Sequence, residues 1–123
     1  MDAHYDSFER TVVPMAVARG TGVIGMKAFG DSFILQSGLM PPIQMLQYPM
    51  SLQISIQVTG MDSMEILNQA LEAVRTYRSP TPEARAALLA RSAQVAMTGK
   101  TERYKTTEYF DGTNHNPQWL TEA

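Results

Sequence analysis

The residues best suited to chemistry lie around residues 55–67, where the sequence pattern changes from that of a strand to that of a helix. Ile54, Ile56 and Val58 alternate with polar residues, which is typical of a strand with one apolar face. Gly60 ends this strand, and apolar residues then recur at helical spacing. A strand that leads through a short loop into a helix places backbone N–H groups and the positive end of the helix dipole at the strand's carboxyl end. That arrangement suits a phosphate group.

The same junction also has an explanation that needs no ligand. Asp62 and Glu65 have the spacing of a helix N-cap and its capping-box partner, so neither carboxylate has to take part in chemistry. Asp62 would also place a negative charge where an anion would bind. Helix capping and phosphate binding therefore both stay open at this junction.

Lys27 is the second candidate, because it follows the apolar run that begins at Val23. A lysine at the carboxyl end of a strand can contact a phosphate or form a Schiff base with a carbonyl compound. It can equally be a surface charge that reaches into solvent. Of the two chemical roles, phosphate contact is favoured.

The remaining titratable residues give weaker signals. His4 and His115 lie at opposite ends of the sequence, so a metal site would need carboxylates from elsewhere and none is predicted. Tyr5 either lines a substrate pocket or packs on the next helix. The stretch 100–105 combines three basic residues with a tyrosine, but Glu102 dilutes its charge, and no nucleic-acid partner is predicted.

Composition narrows the class of protein. The 123 residues are 44% hydrophobic and 18% charged, which is enough for one modest domain. A net charge of -2 recruits neither nucleic acid nor an anionic membrane. The sequence has no cysteine, which excludes disulfides and thiolate catalysis. The first residues lack the features of a signal peptide and no apolar run is long enough to span a membrane, so a cytoplasmic protein is expected.

The first half of the chain predicts a helix, a strand and a second helix. Asp6 and Glu9 form a capping pair for the first helix, which contains Pro14 and stops at Gly20. The apolar run 23–29 predicts a buried parallel strand. Residues 31–38 are expected to form a loop, and a short helix opens at Pro41-Pro42 and is cut off by Pro49.

The second half predicts a strand at residues 54–59, a helix that ends near residues 77–78, a second helix and a tail. Thr81 and Pro82 have the residue types of an N-cap and a first helical position, and this last helix runs to Gly99. The tail from residue 100 shows turn signals but no helical or strand period. Strands separated by helices predict a parallel sheet, and two strands alone leave its edges open, so the chain looks like part of a larger assembly.

Taken together, several stretches resemble the C-terminal third of an aldo/keto reductase, from about Tyr5 to Trp119. The order and spacing of the stretches carry the resemblance, rather than any one motif. The entry loop and the tail are similar to a bacterial branch of the family. The stretches are His4–Glu9, Val23–Gly30, Pro42–Tyr48 ahead of Ser51-Leu52, Val58–Glu65 and Phe110–Leu120.

The resemblance implies an α/β fold, namely the C-terminal segment of a (β/α)8 TIM barrel with parallel strands 7 and 8, their helices and a C-terminal extension. Residues 1–99 would be the barrel part and residues 100–123 the tail. Family members reduce aldehydes or ketones by hydride transfer from NADPH, while a tyrosine assisted by aspartate, lysine and histidine donates a proton. Those four residues belong to the N-terminal half of the family's barrel, so the resemblance implies no catalytic residue here and a chain that is inactive alone.

The resemblance does imply cofactor binding. NADP(H) is the expected cofactor, but Met26 replaces a frequent aromatic residue, and Gly60 and Ile66 replace a frequent lysine and arginine, so NAD(H) is not excluded. The expected partners are the dinucleotide and either the missing N-terminal half or another copy. The alternatives are a non-catalytic fragment that completes a partner's barrel, or a truncated product without function. The residues implied after strand 7 are Met26, Lys27, Phe29 and Gly30, and those after strand 8 are Gly60, Met61, Asp62, Ser63 and Glu65.

Overall fold

The structure is a computed structural model, and it describes residues 3–120. Residues 1–2 and 121–123, which belong to the predicted barrel part and tail, lie outside the described residues. Two strands and seven α-helices occur in the described range, together with two short 3-10 helices at Glu108–Phe110 and Pro117–Leu120. The strands are β1 (Ile24–Gly25) and β2 (Ile56–Gln57), and the helices are α1 (Phe8–Ala18), α2 (Phe33–Gln36), α3 (Pro42–Met50), α4 (Met64–Arg75), α5 (Pro82–Ala96), α6 (Arg103–Thr106) and α7 (Gly112–His115).

The predicted partial (β/α)8 barrel is wrong, because the described chain is mostly helical. The two strands pair in parallel, with Ile24 opposite Ile56 and Gly25 opposite Gln57, but each strand has only two residues. Lys27 has a φ of 58°, so the chain leaves the extended conformation directly after β1. Within residues 3–120 each strand has a single neighbour, and no further strand extends the ladder.

Helix α1 follows the sequence prediction except at its first residue. Ser7 is the N-cap, and its hydroxyl accepts a hydrogen bond from the Arg10 amide at 3.2 Å. The predicted cap, Asp6, lies one residue too early, in a left-handed conformation with a φ of 36°. The helix continues through Pro14, and Gly20 follows its end with a φ of 67°, as expected of a helix stop.

The segment between the strands contains more helix than predicted. Residues 33–36, expected in a loop, form α2 and bury Ile34. Pro42 is the first residue of α3, as predicted, and Pro41 is its N-cap. Pro49 lies in the last turn of α3, one residue before the helix ends.

The two longest helices begin with side-chain caps. Ser63 caps α4 by accepting from the Ile66 amide at 3.2 Å, so the predicted cap, Asp62, is wrong by one residue. Thr81 caps α5 and Pro82 is its first residue, which confirms the prediction. The tail, predicted to lack a helical period, folds into α6, α7 and the two 3-10 helices.

The core is small and lies among α2, α3 and α5. The strand region contributes little to it, since the Ile24 and Ile56 side chains are 62% and 56% exposed. The predicted burial of the first strand is therefore also wrong. The buried core residues are Ile34, Met40, Met45 and Ala96, with Phe29, Leu39 and Leu88 packed against them.

Candidate functional site

The carboxyl ends of β1 and β2 lie at the same edge of the sheet, because the strands are parallel and in register. The Val58 amide donates a hydrogen bond to the Gly25 carbonyl at 2.8 Å, which holds the ends of both strands together. Segments 26–30 and 60–65 leave the sheet from this edge. They contain all nine residues predicted to bind a cofactor. We call this the carboxyl-edge site.

Beyond the strand pair itself, no hydrogen bond between described residues joins the two segments. Each segment is held by its own contacts. The structure therefore brings together the starting points of the two loops rather than the nine side chains.

The first segment is a turn flanked by two residues in the left-handed conformation. The Gly30 amide donates to the Lys27 carbonyl at 2.8 Å, and both residues have positive φ. A Cβ added at Gly30 would lie 2.5 Å from Ile34 Cγ1 and 2.9 Å from the Thr101 carbonyl oxygen. Phe29 packs against the core. Gly30 and Phe29 thus have structural roles that need no cofactor.

Lys27 carries the positive charge of this site. Its Nζ lies 3.0 Å from Asp31 Oδ1, and both side chains remain exposed. The ammonium also lies 5.5 Å from the centroid of the Phe110 ring. An exposed ion pair of this kind contributes roughly 0–1 kcal/mol, so an anion can replace Asp31 at little cost.

The second segment is open to solvent. A Cβ added at Gly60 would meet no atom within 4 Å. Met61, Asp62, Ser63 and Glu65 are exposed, and the Ser63 hydroxyl is used in capping Ile66. The first amides of α4 have no partner within the helix, which is the usual condition of a helix N-terminus.

A partly buried polar cluster ties α1, α3 and α5 together. The Tyr48 hydroxyl donates to Glu9 Oε2 at 2.7 Å, and Arg85 donates to Glu9 Oε1. Burial raises the pKa of Tyr48 above its ordinary value, and the hydrogen bond to Glu9 raises it further. No local sequence pattern predicts this cluster, because Tyr48 and Arg85 are 39 and 76 residues away from Glu9.

A second cluster joins the start of the chain to the segment after α5. The fully buried Glu102 accepts from the Tyr104 hydroxyl at 3.1 Å, and Lys105 Nζ lies 3.4 Å from the same carboxylate. Lys105 also donates to the Tyr5 carbonyl at 2.9 Å. Lys105, the third basic residue of the stretch 100–105, is therefore buried next to Glu102.

The two histidines have different hydrogen-bond partners. His4 Nε2 is 2.9 Å from the buried Ser92 hydroxyl, and burial lowers the pKa of His4. His115 Nε2 lies 3.1 Å from the Glu108 carbonyl oxygen. Within residues 3–120, no group of three or more histidine, cysteine, aspartate or glutamate residues is placed to hold a metal ion.

A cavity of about 590 Å³ opens between α1, β1 and α3. Its volume is within the range of small-molecule sites. Gln57 is one of its lining residues, and Gln57 Oε1 is buried without a hydrogen-bond partner among the described residues. No sequence pattern indicated this cavity, because its walls come from several parts of the chain that are distant in sequence. We call it the β1-edge cavity; its walls include Phe8 and Val12 of α1, residues 23–28, Met45 and Tyr48 of α3, and Ile54.

Comparisons of the chain with protein-family models, with curated proteins and with solved structures found no match. The resemblance to aldo/keto reductases therefore stays a prediction from the sequence. In the part of the chain that the structure describes, none of the helices combines the length and the apolar character needed to cross a membrane.

Proposed function

We propose that the chain binds a nicotinamide dinucleotide, NADP(H) or NAD(H), at the carboxyl-edge site, as the cofactor-binding segment of an aldo/keto reductase-type oxidoreductase. The observation that supports this proposal is the parallel pairing of β1 and β2, from which segments 26–30 and 60–65 leave at one edge. The residue-by-residue resemblance assigns cofactor contacts to these same two segments.

The chemistry of each segment suits a different part of the dinucleotide. Lys27 offers an exposed ammonium to the pyrophosphate, at the cost of its weak pair with Asp31. The N-terminus of α4 offers backbone amides and the positive end of a helix dipole to the adenosine phosphate. The open space around Gly60 lets a ligand approach the backbone closely.

Binding does not make this chain a reductase. The bound nicotinamide would supply the hydride, but carbonyl reduction also needs an acid that protonates the developing alkoxide. The resemblance assigns that tyrosine and its three partners to no position of this sequence. We therefore propose that the chain binds the dinucleotide without turning over an aldehyde.

Titration of the pure chain with NADPH, followed by nicotinamide fluorescence, tests the proposal. Lys27→Ala should weaken binding about ten-fold, because a charge-assisted hydrogen bond contributes roughly 1.5–3 kcal/mol and 1.4 kcal/mol is a factor of ten. Lys100→Ala is the matched control, since Lys100 is an exposed lysine outside the site and should bind normally. Absence of saturable binding by the unaltered chain contradicts the proposal, as does NADPH consumption with a panel of aldehydes.

A second candidate function is non-catalytic association with a partner chain, either another copy or the N-terminal half of a reductase. Its supporting observation is a line of exposed apolar side chains on α1. Phe8, Val12 and Met15 share one face of the helix and are 51%, 52% and 58% exposed. Contiguous apolar surface of this kind marks interaction sites in many proteins.

Size-exclusion chromatography with light scattering over a concentration series tests association with another copy. The second candidate predicts a mass that rises with concentration, or a complex when a reductase N-terminal half is added. A mass that stays at 13.6 kDa in both experiments contradicts it.

A further inference from the structure

The residues that line the β1-edge cavity show where it lies relative to β1. Its lining includes six consecutive residues, 23–28. Successive side chains of a strand point to opposite faces, so a cavity on one face would contact alternate residues only. β1 itself contributes Ile24 and Gly25, which are neighbouring positions on opposite faces, so the cavity is not confined to one face of β1; it also reaches Ile54 and Gln57 on the β2 side.

The hydrogen bonds of β1 identify which of its edges faces β2. The carbonyls of Val23 and Gly25 accept from the amides of Ser55 and Val58, both at 2.8 Å, and so they point toward β2. Backbone groups alternate in direction along a strand, so the amide and carbonyl of Ile24 point to the opposite edge. Within residues 3–120, no strand lies on that side of β1.

The walls of the cavity restrict what can fill it. Phe8, Val12, Met45 and Ile54 present apolar surface to it, which water does not satisfy. A lipid chain would satisfy these walls but would leave the backbone groups of Ile24 without partners. An extended peptide with apolar side chains satisfies both, because its backbone pairs with the strand edge while its side chains pack on the walls.

We propose that the β1-edge cavity binds an extended apolar segment of another polypeptide chain, which joins the sheet as a third strand by pairing with Ile24. This inference rests on the second candidate function and is independent of dinucleotide binding. It assigns the association to the β1-edge cavity and to the pairing of strands. The partner contributes a strand, and recognition comes from main-chain hydrogen bonds together with apolar side chains.

The test uses a fluorescent peptide of about eight residues, a usual strand length, with alternating valine and threonine and a lysine at each end. Fluorescence anisotropy measures its binding to the full chain. Two control peptides have the same sequence but carry N-methyl groups on alternate residues, one on the valines and the other on the threonines, so each lacks the backbone donors of one edge. We expect the unmethylated peptide to bind at least about ten-fold more tightly than the control whose pairing edge is blocked.

Hydrogen exchange of single amides locates the peptide. The Ile24 amide should exchange more slowly with the peptide bound, whereas the amide of Met61, an exposed residue that does not line the cavity, should not change. Ile24→Pro removes the donor at the free edge and leaves the bonds to β2 in place, so it should reduce affinity about ten-fold. Ile24→Val keeps the amide and should bind as the unaltered chain does.

Three results would overturn the proposal: no binding of the unmethylated peptide, equal binding of all three peptides, or unchanged exchange at Ile24. If Ile24→Pro fails to fold by circular dichroism, the three peptides and the exchange at Ile24 still decide the matter. A chain that associates in chromatography but fails the peptide test would refute this inference alone. The association function would then use another surface.

Discussion

At the residue scale, Gly30 and Gly60 differ in whether packing alone explains why the residue is a glycine. Both glycines lie in segments that the resemblance assigns to cofactor binding. Gly30 has positive φ and is enclosed by Ile34 and the Thr101 carbonyl, whereas Gly60 faces open space. The structure therefore explains Gly30 by packing. Gly60 has no such explanation and is the more informative of the two about a ligand.

Gly30→Ala should destabilise the chain by roughly 1–3 kcal/mol, because the added methyl group meets side-chain and backbone atoms at a residue with left-handed φ. Urea unfolding followed by circular dichroism measures this change. Gly60→Ala is the matched control, and it should leave the unfolding midpoint unchanged or slightly raised. Equal effects of the two substitutions would contradict the described packing around Gly30.

His4 predicts a pH dependence of stability. Burial lowers the pKa of His4 below the value of 6.5 that it has when exposed, so the unfolded chain binds the proton more tightly. The stability contributed by neutral His4 is complete above pH 6.5 and is lost as the pH falls from there toward the lower folded pKa.

His4→Gln should reduce the loss of stability between pH 7.5 and pH 5.5, since glutamine does not titrate. Urea midpoints of both chains at the two pH values measure this. Ser92→Ala removes the hydroxyl near His4 and serves as a second probe of the same contact. An identical pH dependence in His4→Gln and the unaltered chain would show that His4 titrates alike in both states.

At the element scale, the sequence predicted the starts of helices better than the lengths of strands. Thr81 and Pro82 start α5 as predicted because an N-cap depends on neighbours within three residues. The apolar runs around β1 and β2 show the pattern of strands, but pairing also depends on neighbours that are distant in sequence. Each run is a strand only where the other run pairs with it. The local sequence pattern does not indicate how many residues of each run are paired.

Helix α1 carries the prediction for this scale. Val12→Lys places a charge in the middle of the exposed apolar face and should abolish or strongly reduce association with a partner, because burial of an unpaired ammonium is costly. Light scattering after size exclusion measures the association, and circular dichroism should show an unchanged helix content.

Val17→Lys is the matched control for this prediction. Val17 lies on the opposite side of α1 and is 38% exposed, so the same charge there should leave association intact. Loss of association in both variants would show that charge alone is responsible, and retention in both would remove α1 from the interface.

At the scale of the whole molecule, the buried contacts lie among the helices rather than at the strand pair. The core among α2, α3 and α5 and the Glu9–Tyr48–Arg85 cluster hold the helices together. The strand pair, in contrast, exposes Ile24 and Ile56. A sequence pattern can predict which residues are apolar, but whether they are covered depends on what packs against them. The predicted burial of the first strand failed for this reason.

The candidate site was predictable only in part. The resemblance to aldo/keto reductases named two segments, and the parallel strands bring the starts of those segments to one edge. The ion pair of Lys27 with Asp31 and the cap of α4 on Ser63 were not predicted. The β1-edge cavity and the Tyr48 cluster depend on contacts between distant residues, which no local pattern encodes.

The most direct test of dinucleotide binding at the carboxyl-edge site is a titration of the ¹⁵N-labelled chain with NADPH, followed by two-dimensional NMR. Binding at this site predicts saturable shifts of the backbone amides in both segments, 26–30 and 60–65, with one common dissociation constant. Shifts confined to one segment, shifts centred elsewhere in the chain, or no shifts at saturating NADPH would contradict it.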